Sequence, residues 1–491
     1  MVNGEASSTT DDDHQVEPLS PAARLFHAPR FNCHIIAIIG CKTSINPSVI
    51  KEGLKHSLIN HPRFSSKLVF ENKMRTKMKW TRITVNIEDH VIVPDLDPKM
   101  ENPDQFVEDY ISYMTTIPMD FSKPLWELHL LNVKTSDAEA IGVFRIHHSL
   151  GDGGSLISLL LACTRKTADP EALPTLPEHR RKDSGGSRGF WWLFLAIWTA
   201  IKLVWNTFMD LLVFVATLLF LKDTKNPLKG ESAEHGPMRI VHRTVSLDDI
   251  KLVKTAMSMT VNDVVLGVTQ AALSQYLNRS YSKVKQDHEQ ENQNSCSLPK
   301  SMRFSATVLV NLRPTTGIQD LANMMAKKSK VRWGNCIGYV LIPFIIALQN
   351  DPLDYVRRAK ATIDRKKLSL EALCTYSIAK LVINIFGFKV GGAIANRVLS
   401  KITMAFSNVV GPLEDISFYG HPLAFLAPTV YGHPQALTIH FQSYVNKMIV
   451  VIAVDSNVIS DPRQLCEDIE ESLRIIKDAA VEKTFMFKDV V

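Results

Sequence analysis

The chain of 491 residues is 45% hydrophobic and 22% charged, which is typical of a globular protein and long enough for two or three domains. Its net charge of +6 is modest and spread out, so the composition does not indicate a nucleic-acid partner. The cysteines are odd in number, scattered and without Cys-x-x-Cys spacing, which predicts reduced thiols facing the cytosol and no metal site. They are Cys33, Cys41, Cys163, Cys296, Cys336, Cys374 and Cys466.

The first part of the chain alternates between helical and strand patterns. Residues 1–17 are small, polar and acidic, which predicts disorder, and they lack the apolar core of a secretory signal. Ser20 followed by Pro21 is typical of a helix start. Further helices are predicted at 46–60 and 103–116, and strands at 34–40, 63–70 and 127–133. The alternation makes residues 18–168 a mixed α/β domain.

Two adjacent histidines, His147 and His148, end an alternating apolar run and precede a Gly/Asp turn and an apolar helix. Because side chains alternate along a strand, His148 shares its face with Phe144 and Ile146, which predicts that it points into an apolar interior. A desolvated, neutral imidazole there is suited to act as a base. Asp152 is placed either to cap the following helix or to bind a cation. The alternative is an ordinary strand end with solvated histidines.

Two segments in the middle of the chain differ in composition from the rest. Residues 169–188 are rich in proline, glycine and basic residues, a composition typical of a linker. Residues 189–221 form an apolar segment with four tryptophans that exceeds the roughly 20 residues needed to span a bilayer. Its polar residues recur at helical spacing and so fall on one helix face. They are Thr199, Lys202, Asn206, Asp210 and Thr217.

Three placements of this segment are open: spanning the bilayer, lying in its interface, or packing inside the protein. Lys202 and Asp210 in mid-bilayer would each cost several kcal/mol unless they were paired. A helix in the interface, with its apolar face towards lipid, meets no such cost. Basic residues flank both ends equally, which suits an element whose ends lie on one side. We therefore expect membrane association without a simple crossing.

The α/β pattern resumes over residues 236–485. Predicted strands are 238–245, 307–312, 335–343, 403–410, 437–444 and 448–455, the last two paired as a hairpin across 445–447. Predicted helices begin at 246 and 260 and cover 352–367 and 461–480, and 286–300 is predicted to be a mobile loop. This part is a second mixed α/β domain.

Several short motifs resemble one family. His147 to Gly153 matches the HHxxxDG signature of condensation-type acyltransferases. Its companions look like those of the wax ester synthase/diacylglycerol acyltransferase family, and the apolar insertion looks like that of the plant members. The companion motifs are Pro18-Leu19-Ser20-Pro21, His61-Pro62-Arg63-Phe64, Pro124-Leu125-Trp126, Val261-Asn262-Asp263-Val264, Asn311-Leu312-Arg313-Pro314 and Ser407-Asn408-Val409-Val410-Gly411-Pro412. The resemblance runs from about residue 18 to the C-terminus, and bacterial members commonly have proline at the position of Val410.

The resemblance implies an α/β fold of two chloramphenicol-acetyltransferase-like halves with a tunnel between them. By motif position His148 is the general base and His147 lies beside it. Asp152 is usually structural in this fold and often paired with an arginine, for which Arg63 and Arg313 are the candidates. Supporting residues are expected at Gly153, Asn262 and Asn408, although a helix start and a turn explain the two asparagines equally well.

The implied reaction is direct transfer of a long-chain acyl group from acyl-CoA to a long-chain alcohol, to diacylglycerol, or to both. A covalent serine route is disfavoured because Gly153-Gly154-Ser155-Leu156-Ile157 lacks the closing glycine of a nucleophile elbow. No cofactor or metal is expected, acyl-CoA being a substrate, and the sequence does not identify an oxyanion donor. The expected location is the cytosolic face of the endoplasmic reticulum membrane, or else the plasma membrane.

Two alternatives remain at this point. A soluble acyltransferase of plant secondary metabolism shares HxxxD, but those enzymes usually carry an Asp-Phe-Gly-Trp-Gly motif that is absent from this sequence. A non-catalytic lipid-binding protein of the same fold is the other alternative, and the intact set of His147, His148 and Asp152 argues against it.

Overall fold

Two mixed β-sheets, one centred in each half of the chain, organise the computed structural model. It describes residues 16–71, 77–97, 99–177, 190–230, 236–286, 298–299, 302–312, 317–327 and 333–488. The strands of these ranges, numbered β1 to β16, are Val16–Pro18, His34–Cys41, Ser66–Phe70, Met78–Arg82, Val91–Ile92, Trp126–Leu131, Ala140–His147, Thr164–Lys166, Met238–Ser246, Phe304–Asn311, Ile337–Phe344, Met404–Val409, Ile416–Phe418, His421–Tyr431, Leu437–Tyr444 and Lys447–Asp455.

The α-helices of the same ranges surround the sheets. Numbered α1 to α12, they are Pro21–Leu25, Pro47–His56, Pro103–Thr116, Gly153–Ala162, Phe190–Leu219, Leu247–Ala256, Val261–Gln286, Ile318–Lys327, Leu353–Lys367, Glu371–Phe386, Phe388–Leu399 and Pro462–Lys488. Ser20 caps α1, as predicted, by accepting a hydrogen bond from the Ala23 N–H at 3.2 Å. The predicted helix at 46–60 is shorter, because α2 ends at His56 and a 3-10 turn, Leu58–Asn60, follows.

The first sheet has seven strands in the order β5-β6-β7-β2-β14-β13-β8. Every residue of β2 and β7 is buried, because both faces of the sheet are covered. The two strands pair antiparallel with His34 opposite His147, which places several histidines at one end of the sheet. Strands β13 and β14 come from the second half of the chain, so this sheet is built by both halves.

The second sheet has six strands in the order β11-β10-β12-β15-β16-β9. Strands β15 and β16 form the predicted hairpin, with Val445 at φ 55° in its turn. Helices α7 and α12 pack on one face and enclose the core of this half. A third, three-stranded sheet of β1, β4 and β3 lies against the first half.

Several predicted boundaries differ from the structure. Val16 and Glu17, predicted to be disordered, pair with β4, whereas residues 1–15 lie outside the described ranges. Most of the predicted loop at 286–300 and residues 178–189 of the linker also lie outside them. The predicted strand at 63–70 begins only at Ser66, because residues 61–65 form a turn closed by the Ser65 N–H to His61 carbonyl hydrogen bond.

Helix α5 corresponds to the apolar segment and lies along the second half. Only the C-terminal part of its polar face is directed at the protein, whereas Thr199 and Lys202 are exposed. Asp210 is 2% exposed and pairs with Arg365 at 2.7 Å and Lys366 at 2.9 Å. The Asn206 amide donates to the carbonyl oxygen of Leu368 at 3.0 Å. Along α5 the opposite face exposes large apolar side chains, among them Val204 at 68%. By length and composition, one helix of the described residues, Trp192–Leu219, could cross a membrane.

Candidate active site

The two histidines occupy different environments at the end of β7. Hydrogen bonds fix the backbone of both, from the His147 N–H to the Leu125 carbonyl at 3.0 Å and from the His148 N–H to the Cys33 carbonyl at 2.9 Å. The rings are 1% and 3% exposed. His148 begins a 3-10 turn, His148–Leu150, and its side chain lines a cavity between the two halves.

His147 belongs to a buried cluster on the other face of the sheet. Its Nδ1 accepts a hydrogen bond from the Ser149 N–H at 3.2 Å, so the neutral ring carries its proton on Nε2. This Nε2 donates to the side-chain oxygen of Asn32 at 2.8 Å. The ring stacks on His27 with 4.2 Å between centroids. Burial is the main reason that its pKa lies well below the ordinary value, so His147 is neutral and holds the turn in place.

His148 is the imidazole available to a substrate. Its ring stacks on Phe26 at 4.2 Å, and Phe144 and Ile146 line the same cavity, in agreement with strand parity. Burial lowers the pKa of His148, and the charge of nearby Asp152 only partly opposes this effect. The ring is therefore neutral at pH 7 and has a nitrogen that can accept a proton.

The cavity next to His148 has a volume of about 580 Å³. Most of its wall is apolar and comes from both halves of the chain, as a site for acyl chains requires. Gly153 also lines it, and a Cβ built there would meet nothing within 4 Å, so this part of the wall is open.

Asp152 is the N-cap of α4, which decides between the two roles predicted for it. Its Oδ1 accepts a hydrogen bond from the Ser155 N–H at 2.9 Å, and its Oδ2 accepts one from the Cys336 N–H at 3.3 Å. Of the predicted arginine partners, Arg63 instead pairs with Glu17 at 2.5 Å and lies over the Trp80 ring. The Arg63 alternative is therefore wrong, because the turn at 61–65 directs this side chain towards the three-stranded sheet. Arg313 lies outside the described residues.

A segment of the second half, residues 333–336, braces the histidine turn. The Trp333 Nε1–H donates to the Leu150 carbonyl at 2.6 Å, and the Asn335 amide donates to the His148 carbonyl at 3.0 Å. Gly151 is required here because a Cβ would come within 2.9 Å of the Trp333 ring. No site role was predicted for this segment, and its last two residues were placed in a predicted strand, 335–343, that begins only at Ile337.

The structure brings the two predicted asparagines together. The Asn408 amide donates to the side-chain oxygen of Asn262 at 2.6 Å. Asn408 is on β12 and lines the cavity, whereas Asn262 is in the first turn of α7. Gly153 and Asn408 thus reach the cavity directly, and Asn262 supports Asn408 from behind.

The fold and the placement of the histidines define a class, the acyltransferases of the chloramphenicol-acetyltransferase-like fold. The structure superposes on a wax ester synthase/diacylglycerol acyltransferase from Marinobacter aquaeolei VT8 with a TM-score of 0.59 at 17% identity, covering 94% of this chain and 99% of that one. It also matches the first condensation domain of the CDA synthetase with a TM-score of 0.56 at 12% identity, covering 95% of this chain and 96% of that one. These likenesses confirm the predicted fold.

Sequence comparison identifies the family within that class. Residues 27–265 match the wax ester synthase/diacylglycerol acyltransferase catalytic domain, and residues 333–477 match the WS/DGAT C-terminal domain. Wax ester synthase/diacylglycerol acyltransferase 5 of Arabidopsis thaliana is 56% identical over 98% of both chains. Number 6 of the same organism is 54% identical over 98% of this chain and 97% of its own.

The chain belongs to the wax ester synthase/diacylglycerol acyltransferase family, which confirms the resemblance carried by its motifs. It is therefore an acyl-CoA-dependent O-acyltransferase, rather than an acyltransferase of plant secondary metabolism or a non-catalytic lipid-binding protein.

Proposed function

We propose that the protein transfers a long-chain acyl group from acyl-CoA directly to a long-chain alcohol, to diacylglycerol, or to both, with His148 as the general base. The observation that carries this proposal is the neutral, buried His148 ring on the wall of a mostly apolar cavity to which both halves contribute. Such a cavity can receive an acyl chain and an alcohol at one imidazole while excluding water.

The reaction follows from this arrangement. His148 removes the proton of the alcohol hydroxyl as its oxygen attacks the thioester carbonyl carbon. The carbonyl π electrons move to the carbonyl oxygen, and their return breaks the carbon–sulfur bond. The CoA thiolate then takes the proton from His148, which restores the neutral base. General-base catalysis of this kind contributes about 10²–10⁴-fold, and the positioning of both substrates supplies much of the rest.

Helix α5 supports delivery of the acceptor from a membrane. Asn206 and Asp210 of its polar face are engaged by the protein, so the charge of Asp210 is paired and need not enter lipid. Lys202 is exposed, and a helix in the interface leaves its ammonium group in water. The exposed apolar face continues onto α10, where Leu381 is 59% and Phe386 is 64% exposed. A continuous apolar surface of this kind favours a helix lying in the membrane interface over one that spans the bilayer.

Both halves of the chain are then expected on one side of the membrane. Strand β14 of the second half is hydrogen-bonded to β2 of the first, and a crossing at α5 would separate these partners. The proposed location is the cytosolic face of the endoplasmic reticulum membrane or the plasma membrane, where acyl-CoA and lipid acceptors meet.

The test supplies purified protein with palmitoyl-CoA and either hexadecanol or diacylglycerol, and measures ester formation. Wild-type protein should form ester, and His148→Ala should reduce kcat by about 10²–10⁴-fold. Full activity of His148→Ala would overturn the assignment of the base. Protease mapping that placed residues 16–177 and 236–488 on opposite faces of a vesicle would overturn the interfacial placement of α5.

A further inference from the structure

Strand β15 presents an alternating polar stripe to the cavity. Thr438, His440 and Gln442 line the cavity, whereas Leu437, Ile439 and Phe441 point into the core of the second half. Burying a polar side chain in the wall of an apolar cavity costs free energy unless the side chain forms a hydrogen bond, either within the protein or to a polar group of a substrate. The Thr438 hydroxyl lies 2.9 Å from the His433 Nε2, and the Gln442 amide donates to the protein as well, so His440 is the candidate for contact with the reacting groups.

Of these residues, His440 is the one that lies near the catalytic histidine. Burial, with a smaller effect from the proximity of His148, lowers its pKa to about 4. A positive charge on either ring thus disfavours one on the other, and His440 stays neutral while His148 accepts a proton. His440 comes from the second half and His148 from the first, so the two rings approach the cavity from different halves.

The hydrogen bond behind His440 decides which of its nitrogens carries the proton. Nδ1 lies 3.2 Å from the hydroxyl oxygen of Thr429, which is 1% exposed. Among the described residues the Thr429 hydroxyl has no other hydrogen-bond partner, so donating to Nδ1 is the arrangement that leaves no buried O–H unsatisfied. The neutral ring then carries its proton on Nε2, which is left to donate to a ligand.

The amide side chains nearby are already engaged with the protein. Asn408 donates to Asn262, Asn335 donates to the His148 carbonyl, and Gln442 donates to the Ser443 carbonyl at 3.0 Å. Each of these amides has an N–H committed to the protein, whereas the Nε2–H of His440 has no partner among the described residues and lies at the cavity wall. A neutral imidazole can polarise a carbonyl in this way without giving up its proton.

We propose that His440 is a second catalytic residue, whose Nε2–H donates a hydrogen bond to the thioester carbonyl oxygen and stabilises the negative charge that develops there. This inference rests on the proposed function. As the alcohol oxygen attacks, the carbonyl electron pair moves to the oxygen held by His440 while the proton goes to His148. When the pair returns and the carbon–sulfur bond breaks, His148 gives its proton to the thiolate and His440 is unchanged.

The test compares His440→Leu, which removes the donor, with His440→Gln, whose amide can place a donor near the position of Nε2. In the ester assay His440→Leu should lower kcat by about 10²–10³-fold, with KM for palmitoyl-CoA changed by less than about threefold. His440→Gln should recover at least about tenfold of that loss. The Ile439→Val variant, on the core face of the same strand, should keep wild-type kcat.

The outcomes separate this inference from the proposed function. If the wild type forms ester and His440→Leu keeps its kcat, or changes only KM, the oxyanion role of His440 is wrong. The same holds if Ile439→Val loses as much activity as His440→Leu, because the effect would then come from a loosened strand. If the wild type forms no ester, the proposed function itself has failed.

Discussion

The Asn335 side-chain amide donates a hydrogen bond to the backbone carbonyl oxygen of His148 at 3.0 Å, joining the second half of the chain to the proposed base. Asn335 is 6% exposed, and its Nδ2 also lies 3.4 Å from the Ser149 carbonyl. The turn that carries His148 is thus held by two carbonyl contacts from outside its own half. The position of the base depends on how the halves are assembled.

Replacement of Asn335 by Ala should loosen this turn. Two buried carbonyl groups would lose their donor, which costs about 1–3 kcal/mol of stability. We also expect kcat to fall by about tenfold, because a small displacement of the base misaligns the proton transfer. Urea unfolding and the ester assay measure the two effects. The matched control is Asn323→Ala, on the exposed surface of α8, which should change neither.

The adjacent histidines should respond differently to alanine. His147→Ala removes hydrogen bonds to Asn32 and Ser149 in a buried cluster and should cost about 1–3 kcal/mol of unfolding free energy while retaining measurable activity. His148→Ala should keep most of the stability and lose activity. Denaturation curves with kcat for both variants test this division. Equal loss of activity without loss of stability in His147→Ala would contradict it.

Folding stability should decline as the pH falls below about 6.5. Burial lowers the pKa of His61 to about 3, so between the ordinary value of 6.5 and about 3 the unfolded chain binds a proton that the folded protein does not. Above pH 6.5 the free energy of unfolding is therefore unaffected by His61. As the pH falls below 6.5 the free energy of unfolding decreases, by about 2 kcal/mol at pH 5.

His27 and His34 have pKa values lowered to about 3 by burial and act in the same direction. Urea midpoints of the wild type and His61→Gln at pH 7.5 and pH 5 test the contribution of His61. The variant should lose less stability than the wild type over this interval. Parallel losses would show that His61 is not a buried neutral group.

The enzyme should stay active at a pH at which an exposed histidine would already be protonated. Burial lowers the pKa of His148, so the ring stays deprotonated at a pH where an exposed histidine is largely charged. We expect kcat/KM to be constant from pH 7.5 through 6.5 and to fall only at lower pH. A fall centred at or above 6.5 would indicate an exposed base.

Charges on the apolar face of α5 should weaken membrane binding. Val204 is 68% and Phe208 is 57% exposed on this face, one helical turn apart. Their joint replacement by lysine should reduce co-flotation with neutral phosphatidylcholine vesicles by about tenfold or more, because burying a lysine in lipid costs several kcal/mol. Tyr113→Lys, at a 64% exposed position on α3, is the matched control and should float like the wild type. Unchanged flotation of the double variant would place the membrane contact elsewhere.

Some elements follow from local patterns alone. Proline in the first turn marks the start of α1, α2 and α3, and in the structure the residue before each proline caps the helix. The β15–β16 hairpin is readable because two alternating runs are separated by a short turn. These features are local, so a few neighbouring residues determine them.

Other elements could not be predicted from local sequence patterns, because contacts between distant parts of the chain form them. Strands β13 and β14 were not predicted; they pair with each other across a short turn, and their other partners, β8 and β2, lie more than 200 residues away. Helices α8, α10 and α11 were not predicted either. The spacing of the polar residues in α5 predicted that they share one helix face. It did not predict that Asp210 on this face pairs with Lys366, because helical periodicity identifies a face but not the residues that contact it.

The sequence by itself identified the HHxxxDG motif and the family. It also predicted, from the alternation of side chains along a strand, the face of the strand on which His148 lies. These depend on residue order and on the fixed alternation of side chains along a strand. Only the tertiary structure decided that Asp152 caps α4, that residues 333–336 brace the histidine turn and that His440 lies near His148. Those relationships join residues far apart in the chain, and packing of one half against the other sets them.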